Sequence, residues 1–345
     1  MPDGGAGGAG AAIARTLDLA ALCDALGYHR YWVAEHHNTG SFAGAAPEIL
    51  LAGLAGRTQH IRLGSGGVML PYYSPYKIAE QFRMLEVLAP GRVDLGVGRA
   101  PGGSPKVQAA MRAGPAAWPL DVFPQQVILL RQFLEDARGA DGTDGGFGSD
   151  HPYRGVRAQP IGEGEPPIWM LGSAHDGAVL AGQMGLPYCF AHFINADGLA
   201  QAADLYRRQF RPSPQCARPH LGIAVSALAA QDRARAEAHS LMRDHWAVRF
   251  LQAKPGPFAS PQELRAWQPT AEEEALLAQV RSRQLIGSGA EVVEALGALR
   301  SAHDAQEMFV VTIADTDAAR RASYEQIAHA AGLRSPAAQD RKKTA

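Results

Sequence analysis

Glu35, His36 and His37 stand together directly after an aromatic, β-rich run, Tyr31-Trp32-Val33-Ala34. A second apolar run, Ile61 to Pro71, is loosened by Gly66 and Gly67 and followed by Val68. A third, beginning at Val93, ends in Arg99 between Gly98 and Ala100. Three consecutive strand ends thus carry an imidazole, bare backbone and a guanidinium. That combination suits a flat, anionic, redox-active ligand.

Each of these residues has more than one chemical reading. Adjacent strand residues point to opposite faces, so the rings of His36 and His37 do not chelate one metal. No third His, Asp or Glu falls at a familiar ligand spacing, and no metal is assigned. An imidazole titrates near neutral pH, which suits proton transfer or hydrogen bonding, but a histidine here can also be purely structural. Gly66-Gly67 lacks β-carbons, so a planar ring can lie against the backbone, or the pair can simply form a bulge. Arg99 can grip a phosphate with two parallel hydrogen bonds, or make a salt bridge across the rim. Gly172-Ser173 precedes a helix whose free N–H groups and dipole favour the same phosphate; alone, it reads as an ordinary cap. His192 follows another strand and is either a pocket wall or a packed histidine. Tyr72 and Tyr73 are pocket walls or surface. Glu35 either orients a histidine or pairs with an arginine.

The elements that position these residues alternate along the chain. Strands are expected at Tyr31–Ala34, Ile61–Val68, Val93–Val97, Ile168–Leu171, Tyr188–Ala191, Leu221–Leu228 and Met308–Thr312. The intervening segments read as helices. Leu19, Leu22 and Leu26 share one face before Gly27. Pro47 opens the next helix, and Ser74-Pro75 opens one striped by Ile78, Phe82, Leu85 and Leu88. Helices are also expected around Val127 to Leu134, 174–184, 196–210, 290–302 and 315–331. Residues 101–124 look irregular, 136–148 read as a solvated loop, and 232–285 carry two extra helices. Short strands separated by helices imply a parallel sheet. The count is seven strands where an eight-fold barrel needs one more. The shortfall is at the front, where Met1 to Gly10 is too glycine-rich for a strand.

Composition narrows the class. The chain has 345 residues, 46% of them apolar, enough for one large domain or two ordinary ones. A net charge of −1 leaves no electrostatic footprint for nucleic acid or an anionic membrane. No apolar run reaches the roughly 18 residues that a membrane span needs, and the start does not read as a signal peptide. Cys23, Cys189 and Cys216 are scattered, which fits a reducing cytoplasm.

In their order, Tyr31-Trp32-Val33-Ala34-Glu35-His36-His37-Asn38, Gly64-Ser65-Gly66-Gly67-Val68-Met69-Leu70-Pro71 with Ser74-Pro75, and Gly91-Arg92-Val93-Asp94-Leu95-Gly96-Val97-Gly98-Arg99 resemble the bacterial luciferase-like monooxygenases, flavin-dependent oxidoreductases. Ile168-Trp169-Met170-Leu171-Gly172-Ser173 and Gly185-Leu186-Pro187-Tyr188 extend the resemblance, which runs from about Leu17 to Ala331. It implies an α/β fold, a (β/α)8 TIM barrel with an insertion after strand 7 at 232–285, in a single domain over 11–331. The chain is expected to start just after the family's first strand, and 1–10 and 332–345 to be disordered. The resemblance makes His36 the catalytic candidate and Gly66, Gly67, Val68, Arg99, Gly172 and Ser173 the cofactor-binding set. A cis peptide is expected near Gly66–Val68. Glu35, His37 and His192 line or support the substrate pocket. Ala174 replaces a hydroxyl residue common in relatives, removing one phosphate hydrogen bond. The implied activity is oxidation of a small organic substrate by dioxygen and reduced FMN, through a flavin hydroperoxide. A separate flavin reductase supplies the FMN, the enzyme is a cytoplasmic homodimer, and the segments 101–124 and 232–285 are candidate lids. The alternatives are hydride transfer by a deazaflavin, a non-catalytic flavin-binding protein, and, least supported, a metal-dependent hydrolase.

Overall fold

The architecture comes from a computed structural model that describes residues 8–99, 105–112, 119–137, 147–162 and 164–335. Six strands pair in sequence order, all parallel: β1 (Arg30–Val33), β2 (Arg62–Met69), β3 (Val93–Gly98), β4 (Ile168–Gly172), β5 (Tyr188–Ala191) and β6 (Leu221–Ala230). β6 then serves two partners. Its first half, Gly222 to Ser226, pairs with β8 (Glu307–Val311), and its second half, Ser226 to Ala230, with β7 (Gln284–Ser288). Around the sheet lie α1 (Gly8–Leu26), α2 (Pro47–Ala55), α3 (Pro75–Leu88), α4 (Pro105–Met111), α5 (Phe123–Asp136), α6 (His175–Met184), α7 (Leu199–Gln209), α8 (Arg233–Leu251), α9 (Pro261–Ala266), α10 (Ala271–Arg281), α11 (Gly289–Ala302) and α12 (Asp317–Ala330).

Local signals account for many of these boundaries. Pro75 takes the first turn of α3, whose Ile78, Phe82 and Leu85 are buried as one stripe. Gly185 ends α6 in the left-handed conformation, where an added β-carbon would meet Arg211 O. Ser260/Glu263, Thr270/Glu273 and Ser288/Glu291 form reciprocal capping boxes on α9, α10 and α11.

Side chains show how the sheet curls. Trp32 of β1 lies 5.2 Å from Trp169 of β4 and 4.4 Å from Phe309 of β8, centroid to centroid. Strands at opposite ends of the pairing order therefore share one interior, which Cys189 and Ala224 complete. Among the described residues β1 and β8 do not pair through their backbones. Arg30 bridges the seam instead, donating from Nε and Nη2 to Glu307 at 2.6 and 2.7 Å. Beneath the aromatic layer, fully buried Asp94 accepts from Arg30 Nη1 (2.6 Å), Arg62 Nε and Nη2 (3.0 and 2.7 Å) and Trp32 Nε1 (3.1 Å). A buried carboxylate needs such a complete donor set. The N-terminal end of the sheet is thus sealed by charge and its middle by aromatic rings. Chemistry is left to the C-terminal ends.

All seven expected strands form, and the sheet they make is curled and parallel. The differences are local. The segment 232–285 holds three helices rather than two, and its last residues begin an unexpected strand, β7, outside the curl. α1 starts at Gly8, inside the stretch 1–10 expected to be disordered. No strand precedes it among the described residues, and residues 1–7 lie outside them. α4 lies within 101–124, which was expected to be irregular. Much of the expected 136–148 loop (138–146) and the tail from 336 lie outside the described residues.

Candidate active site

The predicted site residues lie towards or just beyond C-terminal strand ends, but they fall into several groups. The first is a brace. Glu35, only 2% exposed, accepts from Tyr73 Oη at 2.6 Å and Met69 N–H at 2.8 Å, and lies 2.7 Å from His37 Nε2. One carboxylate ties the ends of β1 and β2 together. It meets a histidine and a tyrosine, not an arginine. Burial, and then the Glu35 hydrogen bond, push the Tyr73 phenol well above its ordinary pKa, so it remains a donor.

His36 forms the second group. Its backbone N–H donates to Gly44 O at 2.8 Å, and its ring stacks on Phe42 at 4.7 Å. Phe42 in turn meets Trp246 and Phe258 edge-on, both at 5.5 Å. This apolar setting strips water from the imidazole and lowers its pKa to about 4. His36 is therefore neutral at physiological pH, able to donate one hydrogen bond and accept another.

The third group lies across the rim. Arg99 follows β3 with its guanidinium 54% exposed, and Nη2 lies 3.3 Å from Asp176 Oδ2 in the first turn of α6. The residue capping that helix is Ala174 rather than Ser173, and it makes no side-chain cap hydrogen bond. The N-terminus of α6 and an exposed cation thus lie side by side, an arrangement that suits a phosphate. Gly172 ends β4, and Ser173 O accepts from Asn195 Nδ2 at 2.9 Å.

The two glycines form the cis peptide expected near Gly66–Val68, and the β2–β3 register shifts between Ser65 and Val68. A β-carbon on Gly66 would sit 3.2 Å from Trp32 Cβ, and one on Gly67 only 2.5 Å from Leu171 Cδ1 and 2.7 Å from Gly96 O. Neighbouring protein atoms, not open space for a ring, occupy those directions. Val68 turns its side chain into the core at 1% exposure, so only its backbone can meet a cofactor.

Residues 2–306 match the pattern that defines the luciferase-like monooxygenases. The chain belongs to this family. It is 34% identical over 317 residues to N-acetyl-S-alkylcysteine monooxygenase of Bacillus subtilis (strain 168), covering 91% of each chain. The crystal structure of apo-MsnO8 superposes with a TM-score of 0.83 at 32% identity, over 95% of both chains. The oxygenating constituent of 3,6-diketocamphane monooxygenase from Pseudomonas putida, solved with FMN, shares the fold at a TM-score of 0.68 and 18% identity, over 95% of this chain and 94% of that one.

Within this luciferase-like frame, His192 turns after β5, its N–H donating to Phe190 O at 3.0 Å. Burial lowers its pKa, and its buried Nδ1 has no partner. Among the described residues no three His, Cys, Asp or Glu side chains are grouped to hold a metal, and no helix is long and apolar enough to cross a membrane. Sequence reading missed the aromatic floor of Trp32, Trp169 and Phe309. It also missed the Phe42, Trp246 and Phe258 cluster around His36. The only early signal was the density of aromatics near the motifs, because the contacts join distant segments, Trp32 to Phe309 and Phe42 to Trp246 among them.

Proposed function

We propose that this luciferase-like chain is a flavin-dependent monooxygenase that uses reduced FMN and dioxygen to oxidise a small organic substrate. The observation that carries this reading is the pairing of Arg99 with the uncapped start of α6, across the barrel mouth from a neutral, desolvated His36. Arg99 and the first N–H groups of α6 fit a phosphate: the guanidinium supplies a fork of donors and the helix its dipole. Asp176 is the local competitor for Arg99, and a phosphate displaces it. Gly66, Gly67 and the backbone of Val68 line the β2 end of the mouth, braced by Glu35. When bound, reduced FMN supplies the activation of dioxygen and delivers one of its oxygen atoms.

His36 offers that site a proton donor and acceptor without a formal charge. The apolar wall of Phe42, Trp246 and Phe258 excludes water around it. The helical insertion is the lid over this wall. Family membership as a monooxygenase favours FMN over a deazaflavin, because a deazaflavin moves hydride without engaging dioxygen. A separate reductase supplies the reduced cofactor, and a homodimer is the proposed assembly.

The test is direct. Apo protein is titrated with FMN, then turned over with a flavin reductase, NADH and isotopically labelled dioxygen against a panel of small organic substrates. Tight FMN binding and label in one product support the reading. Failure to bind FMN rejects it, and tight FMN binding without product from any substrate favours the non-catalytic alternative. Reduction or oxidation of substrate by a deazaflavin without dioxygen consumption would transfer the site to hydride chemistry.

A further inference from the structure

The insertion reaches the barrel mouth through one stripe of α8. His239 Nδ1 lies 2.8 Å from Asp315 Oδ1, just beyond β8, and Trp246 Nε1 donates to Ser41 Oγ at 2.9 Å, beyond β1. Arg243 lies four residues after the first anchor and three before the second, so all three share a helix face. That face is directed at the gap between the ends of β8 and β1, where His36 stands.

Arg243 is 9% exposed, and its buried Nη1 has no hydrogen-bond partner. Among the described residues its one ion pair, with the adjacent Asp244, is long at 3.7 Å. Asp244 is turned elsewhere, accepting from Arg281 Nε at 2.8 Å and Gln284 Nε2 at 2.7 Å. A buried guanidinium has five donors to satisfy, and leaving them unmatched is costly. Burial lowers the Arg243 pKa to about 10; Asp244 opposes that shift and Arg283 adds to it. The guanidinium therefore keeps its charge at neutral pH. Arg283 donates to Ile194 O at 2.7 Å in the loop after β5, the loop that carries His192 and its unpartnered Nδ1. Two arginines, one of them with an unmatched buried donor, thus stand on this side of the mouth.

We propose that Arg243 receives the carboxylate of a small organic-acid substrate entering the barrel mouth. A guanidinium fork in the middle of a helix matches the two oxygens of a planar carboxylate. The start of α6 and Arg99, by contrast, suit a phosphate. This inference rests on the reading that the mouth takes the substrate, and it names the chemical class.

The test uses calorimetry on the wild-type protein, with and without FMN, and on R243Q and R243K. The probes are hexanoate, hexanamide, hexanesulfonate and inorganic phosphate. Wild type is expected to bind hexanoate about 10-fold or more tightly than hexanamide. R243Q is expected to lose that preference, R243K to keep part of it, and FMN affinity to stay within about two-fold in both. Equal affinity of wild type for hexanoate and hexanamide overturns the proposal, whether or not the variants fold. So does a preference for hexanesulfonate or phosphate over hexanoate, or an R243Q variant that weakens FMN and spares hexanoate. A wild-type protein that prefers hexanoate but binds no FMN would reject the flavin reading and leave the carboxylate site standing.

Discussion

Tyr73 donates its phenolic hydrogen to Glu35 Oε1 at 2.6 Å, joining the loop after β2 to the end of β1. The same carboxylate fixes the Met69 N–H and lies against His37, so three contacts depend on one buried charge. Glu35→Gln keeps the shape but removes the charge and replaces one acceptor with a donor. It should cost about 1–3 kcal/mol in urea unfolding, the usual range for a buried charge-assisted hydrogen bond. Tyr73→Phe, which leaves the carboxylate two other donors, should cost less. Equal and negligible losses would show that the brace is decorative.

Arg99 and Asp176 make opposite predictions for one measurement. Arg99→Ala removes a donor fork and should weaken FMN binding about 10–100-fold, as read by flavin fluorescence. Asp176→Asn frees Arg99 and removes a negative charge beside the phosphate, so affinity should rise by a few-fold. Both effects should shrink at high salt, because the pair is exposed. An Arg99→Ala protein with an unchanged FMN dissociation constant places the phosphate elsewhere.

His36 should act as a neutral group. Burial lowers its pKa from 6.5 to about 4, so the activity profile should show no His36 inflection between about pH 6 and 8. The sign for stability follows. Between 6.5 and 4 the unfolded chain takes up a proton that the folded imidazole refuses, so this histidine lowers stability as pH falls through that window. His36→Asn should flatten that part of the curve. His36→Ala should slow substrate oxidation by about 10²-fold or more and leave FMN affinity largely intact. An activity inflection near pH 6.5 that disappears in His36→Asn would show that the imidazole is solvated and charged in the working enzyme.

How much of this was legible beforehand follows from the range of each interaction. The seven expected strands were readable because short apolar runs alternate with striped helices, a local pattern. Gln284–Ser288 was not, since five residues with one glycine, abutting the Ser288 cap, carry little periodicity. Its pairing comes from the unusual length of β6, a tertiary fact. Gly66 and Gly67 were recognised as special, but what their missing side chains accommodate is Trp32, Leu171 and Gly96. Sequence spacing cannot say which neighbour fills a space. Arg243 gave no signal at all. In the string it is one arginine in a charged helix, and only the anchors at Asp315 and Ser41 turn it inward.

The seam between β1 and β8 should control acid stability. Burial opposes ionisation of Glu307, but hydrogen bonds from Arg30 and His220 outweigh it and hold the carboxyl at about 2, below its ordinary 4.5. A depressed carboxyl pKa contributes stability that is present above 4.5 and is lost as pH falls towards 2. Because Glu307 is partly exposed, the contribution is discounted for solvent screening to about 1–3 kcal/mol. Glu307→Gln should therefore lower stability at pH 7 and flatten its dependence between pH 4.5 and 2. Arg30→Met should cost more, about 3–5 kcal/mol, because it also leaves Asp94 short of a donor at the sealed N-terminal end of the sheet. Chemical denaturation across pH reads both effects. If wild type and Glu307→Gln trace parallel curves below pH 4.5, the seam is held by the Trp32–Phe309 contact instead and the ion pair contributes nothing to acid resistance.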